Sequence, residues 1–232
     1  MPSLTDEIRQ SSAIQLPRPA KGCSISVFEA LERRMTIRQI SPTELPIQEL
    51  SNLLWAACGV NRRIGPFGLP GRTAASASNS QEIDLYVALE SGVYLYDGAN
   101  CLLTPIVADD LRGGALTPGQ QVVEAKAPVQ LIYVVDIERF THTRGFPERG
   151  LQDPEVQMSY YYVDTGLIAG NVYLFAAAEG LAAWFHNCHK TDLARRLGLR
   201  PEQRVLFAQT VGYPEKEQWA SHVTTTRNTG NC

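Results

Sequence analysis

EVQMSYYYVDTGLIAGNVYLFAAAEG, residues 155–180, is the stretch on which the fold turns. Read as one helix it is about 36 Å long at 1.5 Å per residue, and from Tyr160 to Leu181 the chain is long and apolar enough to raise the question of a membrane span. Asp164, Asn171 and Glu179 interrupt it, and a charge inside a spanning helix costs roughly 3 kcal/mol on insertion. The stretch therefore reads as a buried helix, the backbone of a whole domain. Tyr160, Tyr161 and Tyr162 cover more than one of its faces, so most of them are assigned to packing. Its apolar residues occupy more faces than one domain needs, which is consistent with an interface.

On either side of this helix lie apolar runs of strand length. APVQLIYVVDI (127–137) is continuous and bounded by Pro128 and charges, which suits a strand buried on both faces in the middle of a sheet. LAAWFHN (181–187) is a further strand, Thr191 is expected to cap the short helix DLARRLG (192–198), and RVLFAQTVGYP (204–214) is the last strand. Towards the N-terminus, Ser26 caps a first helix that ends near Met35, and a second runs from Pro46 until Gly59 offers a stop. Residues 61–70 read as a mobile-looking loop. IDLYVALE (83–90) and VYLYD (93–97) form a hairpin through Ser91-Gly92, and 102–126 holds weaker helical segments. The mixed order of helices and strands predicts an α+β fold around one sheet. Residues 1–22 form a proline-punctuated arm, 23–216 the body and 217–232 a tail.

Composition excludes some classes of function. With 21 Lys and Arg against 24 Asp and Glu, the net charge of −3 argues against a nucleic-acid surface. Asp6, Glu7 and Arg9 stand where a secretory signal would need a cationic and then an apolar stretch. Five widely spaced cysteines, odd in number and without a CxxC pair, fit reduced thiols and a cytoplasmic setting. His186, Cys188 and His189 lack the paired spacings of a zinc site, so no metal is expected. No nucleophile with its base can be proposed from the scattered histidines and acids, and no catalytic residue is assigned.

Two stretches carry chemistry together that neither carries alone. ERRMTIR (32–38) sets Arg33, Arg34 and Arg38 around Thr36 at a helix end, which by itself is a solvated face. GRTAASASNSQ (71–81) is a small, hydrogen-bonding run leading into a strand, which by itself is a loop. As a pair they read as a flavin phosphate and ribityl site, in which guanidinium groups donate in pairs to phosphate oxygens.

From IQLPRPAKG (14–22) through ALERRMTIRQIS (30–41), ELSNLLWAACGVNR (49–62), GRTAASASNSQEIDLYVAL (71–89), GVYLYDGAN (92–100), DTGLIAGNVYLFAAAEGLA (164–182) and LRPEQRVLFAQTVGYP (199–214), the chain resembles the FMN-dependent nitroreductase superfamily. Within it, the resemblance is to the branch containing the thiazole- and oxazole-forming (azoline) dehydrogenases. It implies a nitroreductase-like α+β fold: a central mixed or antiparallel sheet flanked by helices, with the long helix at a homodimer interface where FMN binds. The family's phosphate motif falls on Arg34, Met35, Thr36 and Arg38, with Met35 departing from the pattern. Its ribityl loop falls on Ala75, where the family has proline, and on Ser76, Ala77, Asn79 and Gln81. Trp184, Phe185 and His186 match a third contribution, and Lys216, or alternatively Arg227, a fourth.

The implied activity is NAD(P)H-driven ping-pong reduction of a small-molecule acceptor such as a nitroaromatic or quinone, with no membrane or nucleic-acid partner. The cofactor performs the electron transfer and the protein positions it. The alternatives are an FMN-dependent dehydrogenase oxidising an organic substrate such as a peptide azoline, and a flavin-binding protein without turnover.

Overall fold

The computed structural model describes residues 12–20, 25–117, 127–144 and 152–215. Along the chain the elements are β1 (Ile14–Gln15), α1 (Val27–Arg33), α2 (Ile47–Cys58), β2 (Val60–Arg62), β3 (Gly71–Arg72), β4 (Ile83–Leu89), β5 (Gly92–Asp97), β6 (Leu102–Val107), β7 (Val129–Asp136), α3 (Ile137–Thr141), α4 (Pro154–Glu179), β8 (Ala182–His186), α5 (Lys190–Arg196) and β9 (Gln203–Gly212).

Strand β7 lies inside a seven-stranded sheet of order β1-β6-β5-β4-β7-β9-β8, and every pairing in it is antiparallel. All eight residues of β7 are buried, as its unbroken apolar run predicts. One face, with Leu131, Tyr133 and Val135, packs under α4 in a core shared with Leu85, Val87, Ile168 and Val172. The other, with Ile132 and Val134, joins Tyr86, Leu193 and Ala208. Each fully buried aliphatic side chain here contributes about 1.5–3 kcal/mol. A bulge shifts the β7–β9 register between Tyr133↔Phe207 and Val134↔Val205. The extra residue, Leu206, therefore joins Phe207 against the α4 core.

Both ends of α4 are set by local chemistry. Asp153 accepts the Glu155 N–H at 2.9 Å, Pro154 occupies the first turn, and Gly180 closes the helix in the left-handed region at φ 72°. Its buried residues, Tyr161, Asp164, Thr165, Ile168, Ala169, Val172 and Ala176, form one stripe against the sheet. The opposite side leaves Val163 58% and Leu167 44% exposed. Helix α1, capped by the Ser26 hydroxyl at the Glu29 N–H, packs on α4 but buries only Ala30. Val27 and Phe28 stand 70% and 81% exposed. No helix among the described residues is long and apolar enough to cross a membrane.

Several local expectations are corrected. Residues 102–107 form strand β6 rather than a helical segment; Pro105 sits beside a register shift against β5, where the ladder tolerates a missing donor. Within 61–70 the chain forms part of the β2–β3 ribbon and a 3-10 turn at Pro66–Gly68. The hairpin turn is Glu90-Ser91, because Gly92 already pairs with Leu89. Helix α5 starts after His189, so Thr191 lies within its first turn rather than capping it.

Candidate functional site

Arg34 ends α1, and beyond it the chain runs extended beside the sheet edge. Ile37 donates its N–H to the Ala183 carbonyl at 3.1 Å, and alternation then buries Ile37 while Thr36 and Arg38 stay exposed. The Tyr173 hydroxyl of α4 ties this segment to β8: it accepts the Phe185 N–H at 2.9 Å and lies 3.1 Å from Thr36 Oγ1. The Arg34 guanidinium lies 5.6 Å from the Tyr173 ring centre, and that of Arg38 5.6 Å from the Trp184 ring. Among the described residues neither arginine has a carboxylate partner, whereas Arg33 is paired with Glu29. Arg34 and Arg38 therefore keep their N–H donors available to an anion. Met35 is partly exposed beside them.

Strand alternation divides the third group of expected site residues. Phe185 points to the α4 side, packing at 5.9 Å from Tyr133 and 4.8 Å from Phe207 between ring centres. Trp184 and His186 pair with Thr210 and Ala208 and lie on the opposite face. His186 is buried behind Trp184, their rings 4.5 Å apart. Its Nδ1 lies 2.8 Å from the Asn187 carbonyl and its Nε2 3.0 Å from Thr210 Oγ1. Burial pushes its pKa below the usual histidine value, which favours the neutral ring. Arg38 and Trp184 thus share a face that Phe185 does not. Among the described residues no three His, Cys, Asp or Glu side chains cluster as metal ligands.

The 76–81 loop forms a second cluster. Ser78, Asn79 and Gln81 all hold positive φ, near 51–54°, a strain of order 1 kcal/mol each that the surroundings must maintain. Ser76 Oγ accepts the Gln81 N–H at 3.0 Å. Gln81 Nε2 donates to the Pro70 carbonyl at 2.7 Å and to Asn79 Oδ1 at 3.1 Å, while its Oε1 accepts from Arg72. Asn79 Nδ2 donates to the Pro66 and Pro70 carbonyls. The two amide side chains thus fasten the loop to the β2–β3 ribbon. A small hollow between loop and α4 is lined by Arg72, Ala75, Ser76, Gln81, Asp164 and Ile168.

Two further residues of this cluster were not expected from the sequence. Asp164 Oδ2 accepts the Ala77 N–H at 2.9 Å, and Glu82, fully buried, accepts from the Ser80 hydroxyl at 2.6 Å. Burial, reinforced by the neighbouring Asp164, pushes the Glu82 pKa up to about 8, and burial raises that of Asp164 as well. The available signal was Asp164 itself, an acid inside an otherwise apolar helix.

One chain does not bring the two clusters together. From Asp164 to Tyr173 the helix makes about two and a half turns and rises about 13.5 Å, which puts the two side chains on opposite edges of the buried stripe. Lys216 and Arg227 lie outside the described residues.

Residues 31–213 match the nitroreductase family model. A protein of Methanocaldococcus jannaschii, provisionally named a nitroreductase, is 30% identical over 175 residues, covering 72% of this chain and 80% of its own. A solved structure from Ralstonia eutropha JMP134 with the same provisional name is 31% identical, with a TM-score of 0.75 over 88% of this chain and 90% of that one. A chain of the Escherichia coli microcin synthetase McbBCD complex shares the fold, with a TM-score of 0.65 at 16% identity over 90% of this chain and 80% of its own. The chain belongs to the nitroreductase family and is an oxidoreductase of that class.

Proposed function

We propose that the protein is a homodimeric, FMN-dependent oxidoreductase that uses NAD(P)H to reduce a small acceptor such as a nitroaromatic or quinone. The observation that carries this reading is the division of the site: arginines without carboxylate partners among the described residues stand at one edge of α4, and a strained polar loop at the other. A phosphate on the arginines and hydroxyls on the loop are served by one ligand when the two clusters come from two copies of the chain. The exposed apolar side of α1 and α4, with Phe28, Val163 and Leu167, gives the second copy a seat.

The residues fit FMN in charge and polarity. Arg34 and Arg38 supply guanidinium donors to a phosphate dianion, with the Thr36 hydroxyl and the Met35 backbone beside them. The 76–81 loop of the second copy, shaped by Ser76, Ala77, Asn79 and Gln81, offers polar backbone and side chains to ribityl hydroxyls. Phe185 and Trp184 supply aromatic surface on their two faces, His186 supports Trp184 from behind, and Lys216 adds a further cation. FMN, when bound, supplies the hydride and electron chemistry; these residues bind it, orient it and exclude water around it.

The test is the visible spectrum of purified protein loaded with FMN and desalted, followed by anaerobic NADH or NADPH. Retained flavin that bleaches supports the reductase. Retained flavin that bleaches only with an azoline-like substrate transfers the activity to a dehydrogenase of the azoline-forming kind, and flavin that bleaches with neither leaves a binding protein. A colourless protein overturns the cofactor assignment.

A further inference from the structure

The 76–81 loop rests on two acids that no binding role absorbs. Glu82 is held at the sheet, where its carbonyl accepts the Asp136 N–H at 2.8 Å, and Asp164 is held in α4. Between them they grip both ends of the loop, through Ser80 Oγ to Glu82 Oε2 at 2.6 Å and through the Ala77 N–H to Asp164 Oδ2 at 2.9 Å. The two anchors belong to one turn of the loop, closed by the Ser80 N–H to the Ala77 carbonyl at 3.0 Å, so the two carboxyls flank the same turn. With both ionised, neither could donate, and Glu82 Oε1 has no partner among the described residues. One proton between them supplies the missing donor.

We propose that Glu82 and Asp164 share a single proton, and that this proton holds the 76–81 loop in its strained shape, so that ligand affinity at the loop falls when the proton is lost. The flavin part rests on the function proposed above; the shared proton does not.

The cations nearest the pair are engaged by other groups. Arg139 approaches through the Gln81 carbonyl at 2.9 Å but is engaged by the Asp84 carboxylate at 2.8 and 3.0 Å and by Asp136 at 3.5 Å. Arg72 is engaged by Gln81 Oε1 and the Cys58 carbonyl. The Cys58 thiol, pushed up to about 11 by burial, stays neutral. Rising pH therefore leaves two neighbouring buried carboxylates, and the cation whose field reaches Glu82, Arg139, is already engaged by Asp84. One must turn towards water, and it takes the Ser80 or the Ala77 anchor with it. The raised pKa of both acids agrees with this direction.

Three readouts on the full chain test the proposal. Infrared difference spectra near neutral pH should contain a protonated-carboxyl C=O band that disappears at alkaline pH and in Glu82→Gln. The protection of the Ala77 amide, taken relative to its base-catalysed intrinsic exchange at each pH, should fall over the same pH range in the wild type alone. The FMN dissociation constant of the wild type should rise by about tenfold between pH 7 and pH 9, while Glu82→Gln, which keeps a donor and cannot ionise, follows only the titration of FMN itself.

Absence of the carboxyl band overturns the shared proton, and equal pH slopes in wild type and Glu82→Gln overturn its control of affinity. Should Glu82→Gln not fold, Asp164→Asn takes its place. Failure of FMN to bind at any pH removes the function proposed above, while the infrared band and amide exchange still decide the proton.

Discussion

The Tyr173 hydroxyl accepts the Phe185 N–H at 2.9 Å and lies 3.1 Å from Thr36 Oγ1, so one side chain of α4 fixes both the edge strand and the arginine-bearing segment. Tyr173→Phe deletes both contacts and leaves the Phe185 N–H unpaired. The expected loss of stability is about 1–3 kcal/mol, measured by urea unfolding, together with weaker FMN binding as Thr36 and Arg34 lose their anchor.

Among the described residues Arg34 and Arg38 have no carboxylate partner and Arg33 does, which separates three arginines that look alike in sequence. Arg34→Ala or Arg38→Ala should each weaken FMN binding by roughly 1.5–3 kcal/mol if they make charge-assisted phosphate bonds. Arg33→Ala removes an exposed pair and should change affinity by less than about 0.5 kcal/mol. Fluorescence titration with FMN distinguishes them, and equal losses in all three would remove the specific assignment.

Val163 and Leu167 stand on the side of α4 away from the sheet. If the proposed site draws on two copies, Val163→Glu is expected to convert a dimer to a monomer in sedimentation velocity and to abolish flavin retention at the same time. A monomer that still retains flavin would refute the shared site.

Glu82 gives the stability a pH dependence opposite to that of an ordinary paired carboxylate. Its folded pKa, about 8, exceeds the value of 4.5 for the free side chain, so between these values the folded state holds a proton that the unfolded chain has released. Stability contributed by this group therefore falls as pH rises from about 4.5 to about 8, by at most ~1.4 kcal/mol per pH unit, and then levels off. Denaturant midpoints of wild type and Glu82→Gln across that range should diverge with this sign.

Local periodicity and termini made much of the fold legible. The apolar run of β7, the Ser26 cap of α1 and the Gly180 end of α4 act through a few neighbouring residues, and each appears where the sequence puts it, while α4 starts one residue before the expected Glu155, at Pro154. Strand β6 was not legible, because Pro105 and a weak alternation hide a strand that exists only by pairing with β5. Thr191 failed as a cap for a similar reason: helix α5 begins where β8 and its turn deliver the chain, two residues earlier than its composition suggests.

For the site, the sequence alone determined which residues are available: two polar or cationic segments, and the resemblance that joins them to a flavin. Only the tertiary structure decided how they are used. It paired Arg33 with Glu29 and left Arg34 and Arg38 open, turned Trp184 and His186 away from Phe185, engaged Asn79 and Gln81 in shaping their own loop, and set Glu82 against Asp164. The physical reason is range. Caps, turns and periodicity are fixed by residues within a turn or two, whereas charge pairing, strand facing and the protonation of a buried acid depend on groups brought together across the chain.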